Sequence, residues 1–454
     1  MNKKLVELEI VDLAFDGKAV AHMDGKVVFL KGGLPGEKVL AEIVQEKRRY
    51  NSGIVREILE KSPKRIEAPC SHFSQCGGCT WQDLNYADQL AYKQKQVNDC
   101  LERIGMLEDV IINPIIGSEN IFHYRNKMEY SSHTTEDDSF TLGLHVRGAF
   151  DQIFDLNECH ITSAHDAEIV KWMRAYLEKE NIPVYDVKNH IGYFRFLMLR
   201  HAQKTDDFMV NIITNYGDLP DEEKLIEEIT TAFPFVSTIV HNQNGQKSNI
   251  ATGEIEKVIY GPGYIEEKIN DLTFQISANS FFQTNPIQAA VLYQTGFDML
   301  NAQPTDKVLD LYCGTGSIGL LLAHQVKEVI GVELVGPAIV AAKNNARINN
   351  INNVDFLECD AKKFLIENNE AGHDFDIVII DPPRAGMNPK GLKHLIKLNP
   401  PKILYISCNP ATFARDAKEL VTAGYLLPEV TPVDMFPHTM HIEMVGLFTK
   451  AGEK

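Results

Sequence analysis

The 454-residue sequence predicts an α/β protein in three parts: a small OB-like antiparallel barrel, a central α+β segment, and a Rossmann-like doubly wound domain. Three observations carry this expectation. The first 59 residues hold short alternating strands parted by Gly-bearing turns. From about residue 276 strand and helix patterns alternate, and the opening strand there runs straight into a glycine-rich loop. The expected boundaries are 1–59, 60–275 and 276–454.

Composition sets the outer limits. The formal net charge is −17, yet residues 1–66 carry 13 Lys/Arg against 10 Asp/Glu while the rest carry 32 against 52. Such a body excludes a uniformly basic nucleic-acid coat and leaves the front end as the face for a polyanion. No apolar stretch reaches bilayer length, and Met1-Asn2-Lys3-Lys4 is followed by acidic residues rather than a signal-type apolar region. A cytoplasmic protein with no membrane partner is expected. In such a chain the eight cysteines are expected in metal binding or catalysis rather than in disulfides.

The barrel strands are read at 5–11, 26–30, 38–44 and 52–58, with turns at Asp16-Gly17, Asp24-Gly25, Gly32-Gly33 and Pro35-Gly36. Lys47-Arg48-Arg49-Tyr50 falls in a loop, where cations suit phosphate and a ring suits a base. The plainer reading is a solvated loop on a structural barrel. Next come Cys70, Cys76 and Cys79, with Cys159 as a candidate fourth ligand. The Gly77-Gly78 pair lets the chain fold tightly round a bound group. Four thiolates suit zinc or a 4Fe-4S cluster, and the residue types leave both open. Gln82 to Gly105 has helical periodicity and ends at a glycine. Residues 121–275 mix strand and helix signals.

The last third is the most informative. Strand 307–311 leads into Tyr312-Cys313-Gly314-Thr315-Gly316-Ser317-Ile318-Gly319, which contains G-x-G-x-x-G, and Glu333 closes the second strand 19 positions after Gly314. Gly314 and Gly316 let a nucleoside-bearing cofactor approach the backbone, and the carboxylate accepts from ribose hydroxyls. Nicotinamide and S-adenosylmethionine sites both use this arrangement. Strand 375–380 ends in Asp381-Pro382-Pro383-Arg384, and strand 402–406 ends in Ser407-Cys408-Asn409-Pro410. A lone cysteine is ordinarily a small core hydrophobe. Here it stands at the carboxyl end of a strand, facing the crevice where open α/β sheets bind ligands. Glu443 opens the last strand. His438, His441 and Glu443 suggest a metal site only weakly, because the histidines flank a turn with no helix to align them.

A strand-end thiol, a carboxylate and a methyl donor solve one chemical problem, the methylation of a non-nucleophilic aromatic carbon. A thiolate adding to uracil C6 makes C5 an enolate carbon that attacks a sulfonium methyl. A base then removes the C5 proton so that the thiol leaves.

These residues resemble the RNA 5-methyluridine methyltransferase family, in its RumA/RlmD-like branch, almost from end to end. The resemblance implies that residues 1–59 form a TRAM domain and that Cys70, Cys76, Cys79 and Cys159 hold a 4Fe-4S cluster. It makes Cys408 the nucleophile and Glu443 the proton-abstracting base. Gln283, Tyr312, Glu333 and Asp381 match positions that hold S-adenosylmethionine, and Phe281 matches an aromatic that stacks on extruded bases. Lys47, Arg48 and Arg49 are expected to face RNA. Asp381-Pro382-Pro383-Arg384 has a proline where some relatives have alanine, a change expected to leave cofactor binding intact. The transfer-RNA branch generally lacks both the TRAM domain and the cysteine cluster, so 23S ribosomal RNA, met before full subunit assembly by a monomeric enzyme, is the expected substrate. Transfer RNA is the alternative. From other classes, a nicotinamide oxidoreductase lacks a matching substrate constellation beside Gly314–Gly319, and a non-catalytic RNA-binding protein has no use for Cys408 with Glu443.

Overall fold

The computed structural model describes residues 4–134, 139–149, 151–187, 189–247, 250–372 and 374–450; Met1–Lys3, part of the start read against a signal segment, lie outside it. Strands Lys4–Leu13, Ala19–Met23, Lys26–Lys31, Lys38–Glu46 and Tyr50–Glu60 close into a barrel, the first pairing back onto the fourth. Alternate residues such as Leu8, Ile10, Val28, Leu30, Val39 and Ala41 fill its interior. Ala19–Met23 is a fifth strand beyond the four expected; only five residues long, it is squeezed between Asp16-Gly17 and Asp24-Gly25. Trp81 and Leu84 join the barrel core from the stretch after the cysteine loop.

The expected helix is shorter at its start. Asn85 caps Tyr86–Cys100 by accepting from the Asp88 N–H, so Gln82–Leu84 lie in the preceding turn. A π turn, Leu101–Gly105, then ends at Met106 in the left-handed region.

The central sheet has seven strands in the order Ile255–Tyr260, Val236–Gln243, Phe208–Thr214, Phe194–His201, Lys127–Thr134, Phe140–His145, Ile153–Asp155. Helices His165–Lys179 and Glu222–Ala232 cover one face. The other face packs on the hairpin Tyr264–Ile269/Leu272–Ser277 and the helix Pro286–Leu300. Burial on both faces explains why Phe194–His201 and Phe208–Thr214 are rich in apolar residues with no strict alternation.

The last sheet runs Val354–Glu358, Glu328–Glu333, Lys307–Leu311, Ile377–Ile380, Lys402–Ser407, Glu443–Lys450, Glu429–Val433, with the short strand Ile111–Ile112 at its edge. Its first five strands are parallel, and the order reverses between Lys307–Leu311 and Ile377–Ile380. That reversal opens a crevice at the carboxyl ends. Glu443–Lys450 is antiparallel to its neighbour, with Ser407 opposite Met444. This register sets the start of the last strand beside the end of Lys402–Ser407. Among the described residues no helix is long and apolar enough to cross a membrane.

Candidate active site

Cys408 follows its strand directly, and Pro410 does more than stop it. Asn409 caps the helix Pro410–Thr422 by accepting from the N–H groups of Ala411 and Thr412, with Pro410 at the first helical position, where its missing N–H costs nothing. The thiol is thereby fixed at a strand-to-helix turn. Asp381 ends Ile377–Ile380 in the same way on the adjacent strand. Glu443 reaches this edge from the opposite direction, through the Ser407–Met444 register.

A single cavity of about 780 Å³ is lined by Cys408, Glu443, Asp381, Gln283, Tyr312, Gly314 and Glu333. Phe281, Tyr293, Arg384 and Phe436 also line it. Residues scattered between Ser277 and Glu443 thus meet in one hollow. Gly316 does not line it: it caps the short helix Ser317–Leu322 at φ 82°, where a Cβ would meet Phe356 at 2.7 Å. Gly314, at φ 53°, has no atom within 4 Å of where a Cβ would stand, leaving the loop open to a ligand. Glu333 accepts from the Gly314 N–H at 3.3 Å and from Leu334 and Val335 at 2.7 and 2.9 Å. A carboxylate so fixed, beside an open glycine backbone, fits a nucleoside with vicinal hydroxyls. Phe281 is 69% exposed, a ring facing solvent at the rim.

The electrostatics are those of a buried acidic pocket. Burial pushes Asp381 up to about 7. Burial, then the Asp381 charge, holds Glu443 well above the usual carboxylate range. Burial also raises the Cys408 thiol to about 11, with Glu443 and Asp381 adding to the rise and Arg384 opposing it. Tyr293 is raised by burial and by the nearby Asp381 and Glu443, with the Gln283 side chain opposing the rise. Cys408, Asp381 and Glu443 therefore feel one another.

Tyr293 and Phe436 were not assigned roles from the sequence. Tyr293 lies in an apolar helix that gives no sign of a site. Phe436 stands in the irregular stretch just before Glu443, and an aromatic placed there was the available signal. Lys47, Arg48 and Arg49 do not line the cavity; they are exposed on the barrel, where Lys47 lies 5.1 Å from the Tyr50 ring centre. His438 stacks on Phe122 at 4.5 Å, and its partners are structural.

Cys70, Cys76, Cys79 and Cys159 share one neighbourhood: Cys79 feels the charges of the other three, and Cys70 those of Cys76 and Cys159. The Gly78 N–H donates to Cys76 Sγ at 3.3 Å and Gln82 Nε2 to Cys79 Sγ at 3.2 Å. Among the described residues, however, no group of three His, Cys, Asp or Glu side chains is arranged to hold a metal ion. The four thiols are thus neighbours that do not form a metal-binding arrangement here.

The sequence profile of the tRNA (Uracil-5-)-methyltransferase family matches residues 85–451, and that of the TRAM domain matches residues 1–55. The chain belongs to the tRNA (uracil-5-)-methyltransferase family. Within this family it is 41% identical over 447 residues to an RNA methyltransferase, described as uncharacterized, of Halalkalibacterium halodurans, covering 98% of this chain and 96% of the relative. A second such relative, from Chlorobaculum tepidum, is 40% identical over 466 residues, covering 98% and 96%. Among solved structures, the tRNA (uracil-54, C5)-methyltransferase of Pyrococcus abyssi in complex with S-adenosyl-L-homocysteine superposes with a TM-score of 0.78 at 31% identity, over 97% of this chain and 99% of that one. With 97% of the chain covered, the match takes in the barrel as well as the catalytic sheet. A family member whose name specifies transfer RNA thus shares this architecture, and the barrel does not by itself separate ribosomal from transfer-RNA enzymes.

Proposed function

We propose that the protein methylates C5 of a uridine in RNA, with Cys408 as nucleophile and Glu443 as base, and that its substrate is 23S ribosomal RNA. The observation that carries this is the convergence of Cys408, Glu443 and the cofactor-type loop on one cavity. Gln283, Tyr312, Glu333, Asp381 and Gly314 would hold S-adenosylmethionine, which when bound supplies the methyl electrophile and a sulfonium charge that offsets the acidic pocket. Cys408 Sγ bonds to C6 of the uracil, and the C5–C6 π electrons pass to C5 and O4. C5 would form its new bond to the methyl carbon as the donor's methyl–sulfur bond breaks, the electron pair leaving on sulfur as a neutral thioether. Glu443 takes the C5 proton, the C6–S bond breaks, and Cys408 leaves as thiolate. The net change at the base is a C5–H bond exchanged for C5–CH3, with one proton released. Phe281 offers its exposed face to an unstacked base.

A second reading, methylation of transfer RNA, is favoured by the Pyrococcus abyssi likeness. Incubation with labelled methyl donor and unmodified 23S and transfer-RNA transcripts tests both. Label in 23S RNA at uridine C5 is expected, and label in transfer RNA alone overturns the ribosomal assignment.

In the proposed division of labour residues 1–59 bind RNA, with Lys47, Arg48 and Arg49 toward it. Residues 60–275 carry the cysteine loop, residues 276–454 perform the chemistry, and the whole acts as a cytoplasmic monomer. We further propose a 4Fe-4S cluster on Cys70, Cys76, Cys79 and Cys159, supported by their common neighbourhood and by N–H donors already aimed at two of the sulfurs. Anaerobically purified protein should contain iron and acid-labile sulfide, and a colourless preparation with one zinc per chain overturns it.

A further inference from the structure

The segment between the strands Glu429–Val433 and Glu443–Lys450 carries Phe436 into the cavity wall and leads directly into Glu443. It has no helix or strand of its own, and His438 sits in the left-handed region at φ 65°. What holds it comes from another part of the chain. Lys93 Nζ lies 2.6 Å from Asp434 Oδ1 and donates to the Phe436 carbonyl at 3.2 Å. Asp434 Oδ1 also accepts the Phe436 N–H at 3.1 Å, and the Tyr86 hydroxyl donates to Oδ2 at 2.9 Å. Gln89 Oε1 accepts the His438 N–H at 2.9 Å, and its amide nitrogen lies 3.1 Å from His438 Nδ1. The N–H groups of Thr80 and Trp81, next to Cys79, both donate to the His438 carbonyl, at 2.7 and 3.0 Å.

Tyr86, Gln89 and Lys93 are spaced i, i+3, i+7 on the helix Tyr86–Cys100, so they form a polar stripe on one face. The Lys93 and Asp434 side chains are both 0% exposed. A fully buried ion pair is a poor source of stability, since apolar residues of the same shape often serve as well or better. It does fix geometry, because each charge has one acceptable place. Here that place is either side of Phe436.

We propose that Lys93, with Tyr86 and Gln89, is a positioning residue for the reaction: through Asp434 and the backbone of Phe436 it sets the cavity wall and the approach of Glu443. The inference rests on the reading of Cys408 and Glu443 given above. Cys408 is held separately, by its own strand and by the helix that Asn409 caps. Loosening the stripe therefore acts on the step that needs Glu443, the elimination, more than on methyl transfer.

Two full-length variants test this. Lys93→Met removes the ammonium. Lys93→Met with Asp434→Asn leaves no buried charge, keeps an acceptor for the Phe436 N–H and sets an amide N–H beside the Tyr86 oxygen, but lacks the bond to the Phe436 carbonyl. The readouts are the resolution rate of the denaturation-resistant, methyl-labelled protein–RNA adduct and, alongside, the thermal midpoint. The double variant is expected to melt close to wild type yet resolve the adduct about tenfold more slowly or worse. An adduct resolving at the wild-type rate in the double variant, while Glu443→Gln traps it, overturns the inference alone. Activity lost only in step with folded protein overturns it too. If Glu443→Gln yields no adduct, the reading of Glu443 as the base falls and this inference with it.

Discussion

Replacing Glu443 by glutamine separates the two halves of the proposed reaction. Glu443 is 4% exposed, and its carboxyl is held well above the ordinary range by burial and by Asp381. The amide has the same shape and no charge, so it mimics the protonated acid the pocket already favours, and the fold should survive. What disappears is the acceptor for the C5 proton. A positioned general base is worth ~10²–10⁴ in rate, or about 3–5 kcal/mol of barrier. Attack by Cys408 and methyl transfer do not use this carboxylate. If the two steps are about equal in the native enzyme, slowing elimination by ~10² alone leaves roughly 99% of cycling enzyme as the methylated adduct. The assay is a denaturing gel after incubation with RNA and labelled methyl donor. A shifted, labelled band should appear for Glu443→Gln and be absent for Cys408→Ala. Turnover by Glu443→Gln within about tenfold of wild type, with no adduct, refutes the assignment of the base.

Three further outcomes are expected. Phe281→Ala removes an exposed ring proposed to stack on a base, and at ~1–3 kcal/mol per stacked base should raise KM for RNA by roughly 5- to 150-fold while S-adenosylmethionine binding, read by calorimetry, stays unchanged. Cys408, raised to about 11, should be alkylated by iodoacetamide in the free protein at a rate climbing about tenfold per pH unit from pH 7 to 10; a plateau near pH 8.5 contradicts the raised thiol. Burial raises Asp310 from 3.8 to about 8, so the fold favours its neutral form: stability is full below pH 3.8 and declines as pH rises to about 8. Asp310→Asn keeps an acceptor for the Gly319 N–H, and its gain over wild type in denaturant unfolding should grow from pH 4 to 8, with an upper bound on the order of 5 kcal/mol, and then level off. A gain that shrinks with pH would refute this.

The sequence alone determined the local pieces of this protein. The strands of the barrel, the helix after the cysteines, the glycine loop after Lys307–Leu311 and the strand-end placement of Asp381 and Cys408 were all legible. Each depends on periodicity, turn residues and caps within a few positions. The short strand Ala19–Met23 was not, because its turns leave too few residues for an alternation to show. Only the tertiary structure decided which pieces meet. Ser407 lies opposite Met444, and that register sets Glu443 beside Cys408 although 34 residues separate them. The sequence marks Lys93 as one lysine in a polar helix, yet it is wholly buried against Asp434, 341 residues away. The raised Cys408 and Glu443 have the same origin, since a side chain's desolvation and its charged neighbours exist only once distant strands have closed around it.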